Sequence, residues 1–146
     1  MAWITPIIDR TELDVLYALV NQNNTTDLKG SWNVSDVNRI IGNIEYLNTK
    51  LIEQNYNPNI GTIPQWQMED LPYVNSKVDV IRNNVGKIVN SFYKMENPNI
   101  RYGTVLDYND ANTLEINLKI TNDLLESLIA LFKYSGTFYS GEDVVL

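Results

Sequence analysis

The sequence has 146 residues, 44% hydrophobic and 20% charged, which supplies enough apolar material for the core of one globular domain. Eleven basic against eighteen acidic residues give a net charge of −7, which disfavours nucleic acid or anionic lipid as the main partner. The chain has no Cys and no His, so disulfides, thiolate metal sites and the commonest catalytic base are excluded. Composition therefore indicates a protein that is not an enzyme and uses no cofactor.

An extended N-terminal arm and a short helix open the chain. Pro6 disfavours helical angles at Thr5, and the arm around it is apolar. Thr11 is expected to cap the first helix, with Asp14 reaching back to the cap. Packing should then bury one face of this helix, formed by Leu13, Leu16, Tyr17 and Val20.

Two longer helices are predicted in the middle of the chain. The second helix begins at the cap Ser35 and carries apolar residues at three- and four-residue spacing through Ile52. Residues 55–61 then break the pattern. The third helix runs from Ser76 until Pro98 and its flanking Asn residues stop it.

The fourth helix starts near Asp110 and carries two apolar rows. The second row, Ile116, Ile120 and Leu124, predicts burial on more than one side. Antiparallel packing is the simplest way to bury such stripes. The predicted fold is mainly α, a small bundle of about four helices built from an internal helical repeat, with extended or β-like ends.

The last residues differ in composition from the helices. Glycines alternate with aromatic and β-branched residues from 134 to 146, a pattern typical of an extended segment or hairpin. We therefore divide the chain into a bundle domain with its N-terminal arm, residues 1–133, and an extended C-terminal segment, residues 134–146. The two apolar ends of the chain either pair with each other or dock on a neighbouring subunit.

One helical sequence motif occurs three times in the chain. Residues 35–47 match residues 76–88 at an offset of 41, and a third copy begins at residue 111. Each copy places an amide beside the apolar row, at Asn43, Asn84 and Asn117. These amides either bind backbone groups of an incoming loop, the more common arrangement, or line a polar ligand site together.

Aromatic residues are the candidates for interaction with partners: Trp3, Trp32, Trp66, Tyr102, Phe138 and Tyr139. They either cover helix ends or offer flat faces to sugars. Acidic residues concentrate at Asp107, Asp110 and Glu115, and again at residues 69–70. Paired carboxylates can hydrolyse glycosides, but acidic residues at helix starts ordinarily interact with the helix dipole. A complete calcium loop is missing, so we assign no catalytic, cofactor or metal residue.

Several short motifs are distinctive: residues 3–6, 9–11, 29–30, 35–40, 43–47, 70–72 and 136–142. In these motifs the chain resembles a module of structural proteins from tailed phages and prophages of Gram-positive hosts. The resemblance implies a tail or tail-associated virion component that is made in the cytoplasm of the bacterial host.

Two functions follow as expectations. The first is a non-enzymatic virion component that assembles through its helical body and extended ends, with other virion proteins and further copies of itself as partners. The alternative is a module that binds cell-surface glycan through loop aromatics. Neither expectation involves nucleic acid, and no apolar stretch approaches the ~20 residues that a membrane helix needs.

Overall fold

The computed structural model describes residues 2–22, 27–67, 75–93 and 98–139, the side chains of residues 75 and 133–139 excepted. Regular structure in these ranges is helical: α1 spans Glu12–Val20, α2 Val34–Glu53, α3 Asn75–Phe92 and α4 Tyr108–Tyr139. The predicted mainly α fold with four helices is confirmed.

Helices α2, α3 and α4 pack against one another pairwise and enclose the core. The core consists of apolar side chains that recur along the inner faces of these helices, with Ile63 and Trp66 added from the segment between α2 and α3. Burying such stripes supplies most of the stability of short helices. The three helices are therefore the body of the domain.

Helix α1 lies outside this core, and the predicted burial of its apolar face is wrong. Leu13 and Val20 are 75% and 85% exposed, Leu16 and Tyr17 are also exposed, and the buried residue of the helix is Ala18. The physical reason is that α2–α4 fill the core among themselves. What α1 meets instead is the backbone around Gly30.

The antiparallel prediction is also wrong, because α2 and α3 run in the same direction. At their carboxyl ends, the rings of Tyr56 and Phe92 pack with centroids 5.0 Å apart. At their amino ends, Trp66 is bound by Asn38 of α2 and lies 5.2 Å from the ammonium of Lys77 on α3. Long connections between helices permit this arrangement, whereas short loops would force antiparallel neighbours.

Helix α4 has the same direction. Its first turns meet the first turns of α2 through Arg39 and Glu115, and those of α3 through Arg82 and Asp110. The chain must then return from the end of α3 to the start of α4. Along this return, Pro98 contacts Asn117 of α4 and Gly103 contacts Asp79 of α3. The amino ends of all three core helices thus gather at one end of the domain.

The caps follow the predicted chemistry with one shift in position. Thr11 and Asp14 form the predicted capping box. Helix α2 begins earlier than predicted, since the Asn33 backbone N–H donates to the Asp36 carboxylate and Ser35 lies inside the first turn. The start of α3, one residue before Ser76, and that of α4, two before Asp110, agree closely with prediction.

Two predictions about α4 need correction. Ile116, Ile120 and Leu124 are 36–37% exposed, so the second apolar row is only partly covered and does not enter the core. The helix also continues to Tyr139, so residues 134–139 are helical rather than extended. One isolated glycine, Gly136, costs a helix only about 1 kcal/mol and does not end it. Residues 140–146 lie outside the described residues.

Candidate functional site

The three repeated amides each hold the backbone of a different segment. Asn43 accepts from the N–H of Ile4 at 3.0 Å and donates to its carbonyl at 2.8 Å. Asn84 accepts from the N–H of Gly61 at 3.1 Å. Asn117 donates to the carbonyl of Pro98 at 2.9 Å, and a proline has no N–H to offer in return. Of the two interpretations of these amides, the contacts agree with the one in which each amide binds the backbone of an incoming segment. The three amides do not line a shared site.

A second polar position, five residues earlier in each helix, does the same. Asn38 binds both backbone groups of Trp66, and Asn112 binds both backbone groups of Arg10. On α3 the position is Asp79, whose carboxylate accepts from the N–H of Gly103. We call these six side chains the clamp residues: Asn38, Asn43, Asp79, Asn84, Asn112 and Asn117.

The clamp residues arrange three non-helical segments in a ring. We call them the first connector (residues 2–10), the second (54–67) and the third (98–107). Each core helix holds an early residue of the connector that precedes it and a late residue of the next one. Helix α4 closes the ring by binding Arg10 at the end of the first connector. The helical repeat thus produces an approximate threefold arrangement.

A second repeat marks the connectors, and our reading of the sequence missed it. The letters Asn-Pro-Asn-Ile occur at residues 57–60 and again at 97–100. Asn59 and Asn99 both have φ of 59°, in the left-handed region that Asn tolerates better than most residues. The repeated phrase could have predicted two equivalent connectors as well as three equivalent helices.

A buried cluster of four charged side chains lies between the first connector, α2 and α4. We call Arg10, Asp36, Arg39 and Glu115 the charge cluster. Nη2 of Arg10 is 2.8 Å from Oε2 of Glu115 and 3.3 Å from Oδ1 of Asp36. Arg39 binds the same two carboxylates at 2.7 Å each. Two guanidinium groups balance two carboxylates, so the cluster buries no net charge, while Nε of Arg10 is buried without a hydrogen-bond partner.

The carboxylates of the charge cluster favour the charged form of Arg39. Burial disfavours the charged form of Arg39, but hydrogen bonds to Glu115 and Asp36 outweigh it and raise the pKa of this guanidinium. Each carboxylate of the cluster accepts from both arginines. These contacts join α2, α4 and the first connector. Glu115, which the sequence placed in an acidic group, therefore has a structural role in this cluster.

The other two members of the predicted acidic group begin α4. Asp107 and Asp110 exchange backbone-to-carboxylate hydrogen bonds at 2.8 and 3.1 Å, which forms a cap. Burial alone would raise the pKa of Asp110, but hydrogen bonds from Arg101 and from the Asp107 N–H lower it. The N–H of Gly103, with help from Arg82, likewise lowers the pKa of Asp79. Residues 69–70 lie outside the described residues.

The candidate aromatics pack against the protein rather than forming one surface. Trp3 lies on Tyr46 with ring centroids 5.8 Å apart, and Trp32 meets Trp66 edge-on at 6.5 Å. Trp66 is only 2% exposed. Tyr102 is about half exposed and rests its hydroxyl on Gly86. The side chains of residues 138 and 139 lie outside the described ones.

Two cavities lie at the surface of the described part of the protein. A cavity of about 190 Å³ separates α1 and the loop at Gly30 from the start of α4, with Trp32 and Leu106 in its wall. A more open one of about 340 Å³ lies between α2 and the second connector. Among the described residues, no group of three acidic side chains is placed to hold a metal ion.

Comparisons with known proteins add no identification. No family model, curated protein or solved structure matches the chain. In the described part of the chain, none of the helices is suited to crossing a bilayer.

Proposed function

We propose that this chain is a non-enzymatic structural component of a phage virion, located in the tail or associated with it. One observation carries the proposal. The polar side chains best suited to chemistry are engaged in holding connectors and helices together, as clamp residues or in the charge cluster. A part that must keep its shape in an assembly benefits from such contacts, since buried hydrogen bonds and ion pairs between segments favour one arrangement of those segments.

Exposed apolar side chains supply surfaces for assembly. Leu13, Tyr17 and Val20 of α1 are more than half exposed, and so are Leu131 and Phe132 near the end of α4. Contiguous apolar surface on a folded protein commonly marks an interaction site. Further copies of the chain and other virion proteins are the partners proposed for these surfaces.

Purified particles test the proposal. Phage particles are induced from the bacterium that encodes the sequence, banded by density, and probed by mass spectrometry and by gold-labelled antibody against the recombinant chain. We expect peptides of the chain in the particle band and gold at the tail. Antibody pre-absorbed with recombinant protein is the control. A chain abundant in the lysate but missing from intact particles would overturn the proposal.

The glycan alternative remains a prediction with less support. Of the candidate rings whose side chains are described, only Tyr102 is classed as exposed. Tryptophan emission measured with and without host cell-wall fragments tests for a part played by Trp3 or Trp32, and replacement of each by Phe would assign a response. Binding of the same fragments to Tyr102→Ala, compared with the unchanged chain, tests the exposed ring.

A further inference from the structure

The first connector is held as firmly as the other two. Ile4 is bound by Asn43, the N–H of Ile7 donates to Glu115 at 3.2 Å, and Arg10 is bound by Asn112 and the charge cluster. These contacts all join the connector to α2 and α4. The connector therefore occupies a seat between α2 and α4, formed by Asn43, Asn112 and the charge cluster.

Its covalent attachment differs from that of the other connectors. The second connector follows α2 and the third follows α3, so each is tied to a core helix on both sides. The first connector does not follow α4 in this sequence. It is joined to the bundle through residues 11–33, which contain α1 and the loop that leads to α2.

Helix α1 is only loosely seated on the core. Ala18 is its buried residue, and the cavity of about 190 Å³ separates α1 from the start of α4. The contacts that fix α1 are instead with its own loop: Gly30 abuts the backbone of Asp14, and the Lys29 ammonium lies 3.8 Å from the Asp14 carboxylate. The unit of α1 and this loop can therefore keep its internal contacts if it swings away from the core, and it loses the hydrogen bonds that join Asp27 and Leu28 to the start of α2.

We propose that residues 2–10 exchange between copies of this chain, so that the first connector of one copy occupies the seat of another. The exchange rests on the proposed self-assembly of the protein. An identical seat in the second copy offers the same contacts from Asn43, Asn112 and Glu115, so little binding energy is lost. The exposed apolar side chains of α1, including Leu13 and Val20, lie next to the exchanging segment and are buried between the two copies.

Crosslinking in trans tests the exchange. The chain contains no Cys, so Trp3→Cys and Tyr46→Cys place single thiols on opposite sides of one seat contact, whose rings lie 5.8 Å apart. The two variants are mixed, incubated together at high concentration and treated with a short bismaleimide. We expect a covalent dimer containing one copy of each variant. Trp3→Cys mixed with Asn83→Cys, an exposed site on α3, is the control and should give no such product.

A measurement on the unchanged chain guards against variants that do not fold. Copies labelled with ¹³C are mixed with copies labelled with ¹⁵N, and contacts between Ile4 and the Asn43 side chain are sought by isotope-filtered NMR. Contacts across labels support the exchange. Contacts confined to one label overturn it, whether the protein is monomeric or associates through another surface. Presence of the chain in particles is measured separately, so failure of the exchange is distinguishable from failure of the virion proposal.

Discussion

Asn38 and Asn112 bind two different connectors with the same geometry. Each amide oxygen accepts from the N–H of one residue, at 3.0 Å from Trp66 and 3.1 Å from Arg10. Each amide nitrogen donates to the carbonyl of that same residue, at 3.2 and 2.9 Å. One side chain thus replaces the partner strand that an extended backbone would find in a sheet, and the bundle can hold extended segments without one.

Removing one of these clamps should cost much more than its hydrogen bonds alone suggest. In Asn112→Ala, the N–H and carbonyl of Arg10 lose their partner in a buried setting, and an unsatisfied buried group costs about 1–3 kcal/mol. We expect the free energy of unfolding to fall by about 2–4 kcal/mol in urea titrations. Asn109→Ala, at an exposed site on the same helix, is the matched control and should change stability by less than about 0.5 kcal/mol. Equal effects at both sites would contradict the clamp.

The charge cluster should be sensitive to the loss of a single charge. Glu115→Gln leaves Arg10 and Arg39 with only Asp36 as a carboxylate partner, at a position whose side chain has 0% exposure. Removing one partner of a buried ion pair costs about 3–5 kcal/mol, because a buried charge is left uncompensated.

The matched control for this variant is Asp123→Asn, which breaks an exposed pair with Lys119 on the same helix. Such surface pairs contribute about 0–1 kcal/mol, so thermal or urea unfolding should separate the two variants clearly. A loss at Glu115 no larger than at Asp123 would show that the cluster contributes little to stability.

The helical repeat was readable from the sequence because it has two independent signatures. Apolar residues recur every three or four positions, and an amide recurs at one place in each copy, so Asn43, Asn84 and Asn117 could be found without coordinates. The relative direction of the helices could not be read from the sequence. Apolar stripes are equally well buried in parallel and antiparallel bundles, and the decision lies in connector contacts such as that of Trp66 with Asn38.

The charge cluster was beyond prediction for a related reason. Arg10 lies 105 residues from Glu115, and nothing local to either residue indicates that they meet. Glu115 was noticed as part of an acidic group, but Arg10 and Arg39 have the appearance of ordinary surface arginines. The exposure of α1 was missed because periodicity identifies an apolar face without showing that the core has room for it.

Gly30 should tolerate no side chain. A Cβ there would overlap the carbonyl group of Asp14 and lie 2.5 Å from the N of Val15, so α1 would have to move. We expect Gly30→Ala to destabilise the protein by about 1–3 kcal/mol, the usual cost of forcing atoms into occupied space. Circular dichroism during urea unfolding measures the change.

Gly42→Ala provides the opposite expectation within the same protein. Gly42 lies inside α2, and a Cβ there has open space around it. Replacing a helix-interior glycine by alanine should stabilise the fold by about 0.5–1 kcal/mol. If Gly30→Ala were as stable as Gly42→Ala, the close approach of the loop to α1 would be disproved.

Acid should weaken the start of α4 through Asp110. Hydrogen bonds from Arg101 and the Asp107 N–H hold the pKa of this carboxyl below its ordinary value of 3.8 in spite of burial. A lowered folded-state pKa means that the unfolded chain binds the proton more readily. The stabilisation is therefore complete above the unfolded-state pKa and disappears as pH falls through the lower folded-state pKa.

Comparing Asp110→Asn with the unchanged protein across pH isolates this contribution. At pH 7 the variant should be less stable by about 2 kcal/mol, the range expected for lost hydrogen bonds to a charged group. Below pH 4 the two unfolding free energies should converge, since Asp110 in the unchanged protein is then being protonated as well. Asp123→Asn, exposed on the same helix, serves as the control for general charge effects. A difference that stays constant from pH 7 to pH 3 would mean that the carboxylate charge of Asp110 does not stabilise the start of α4.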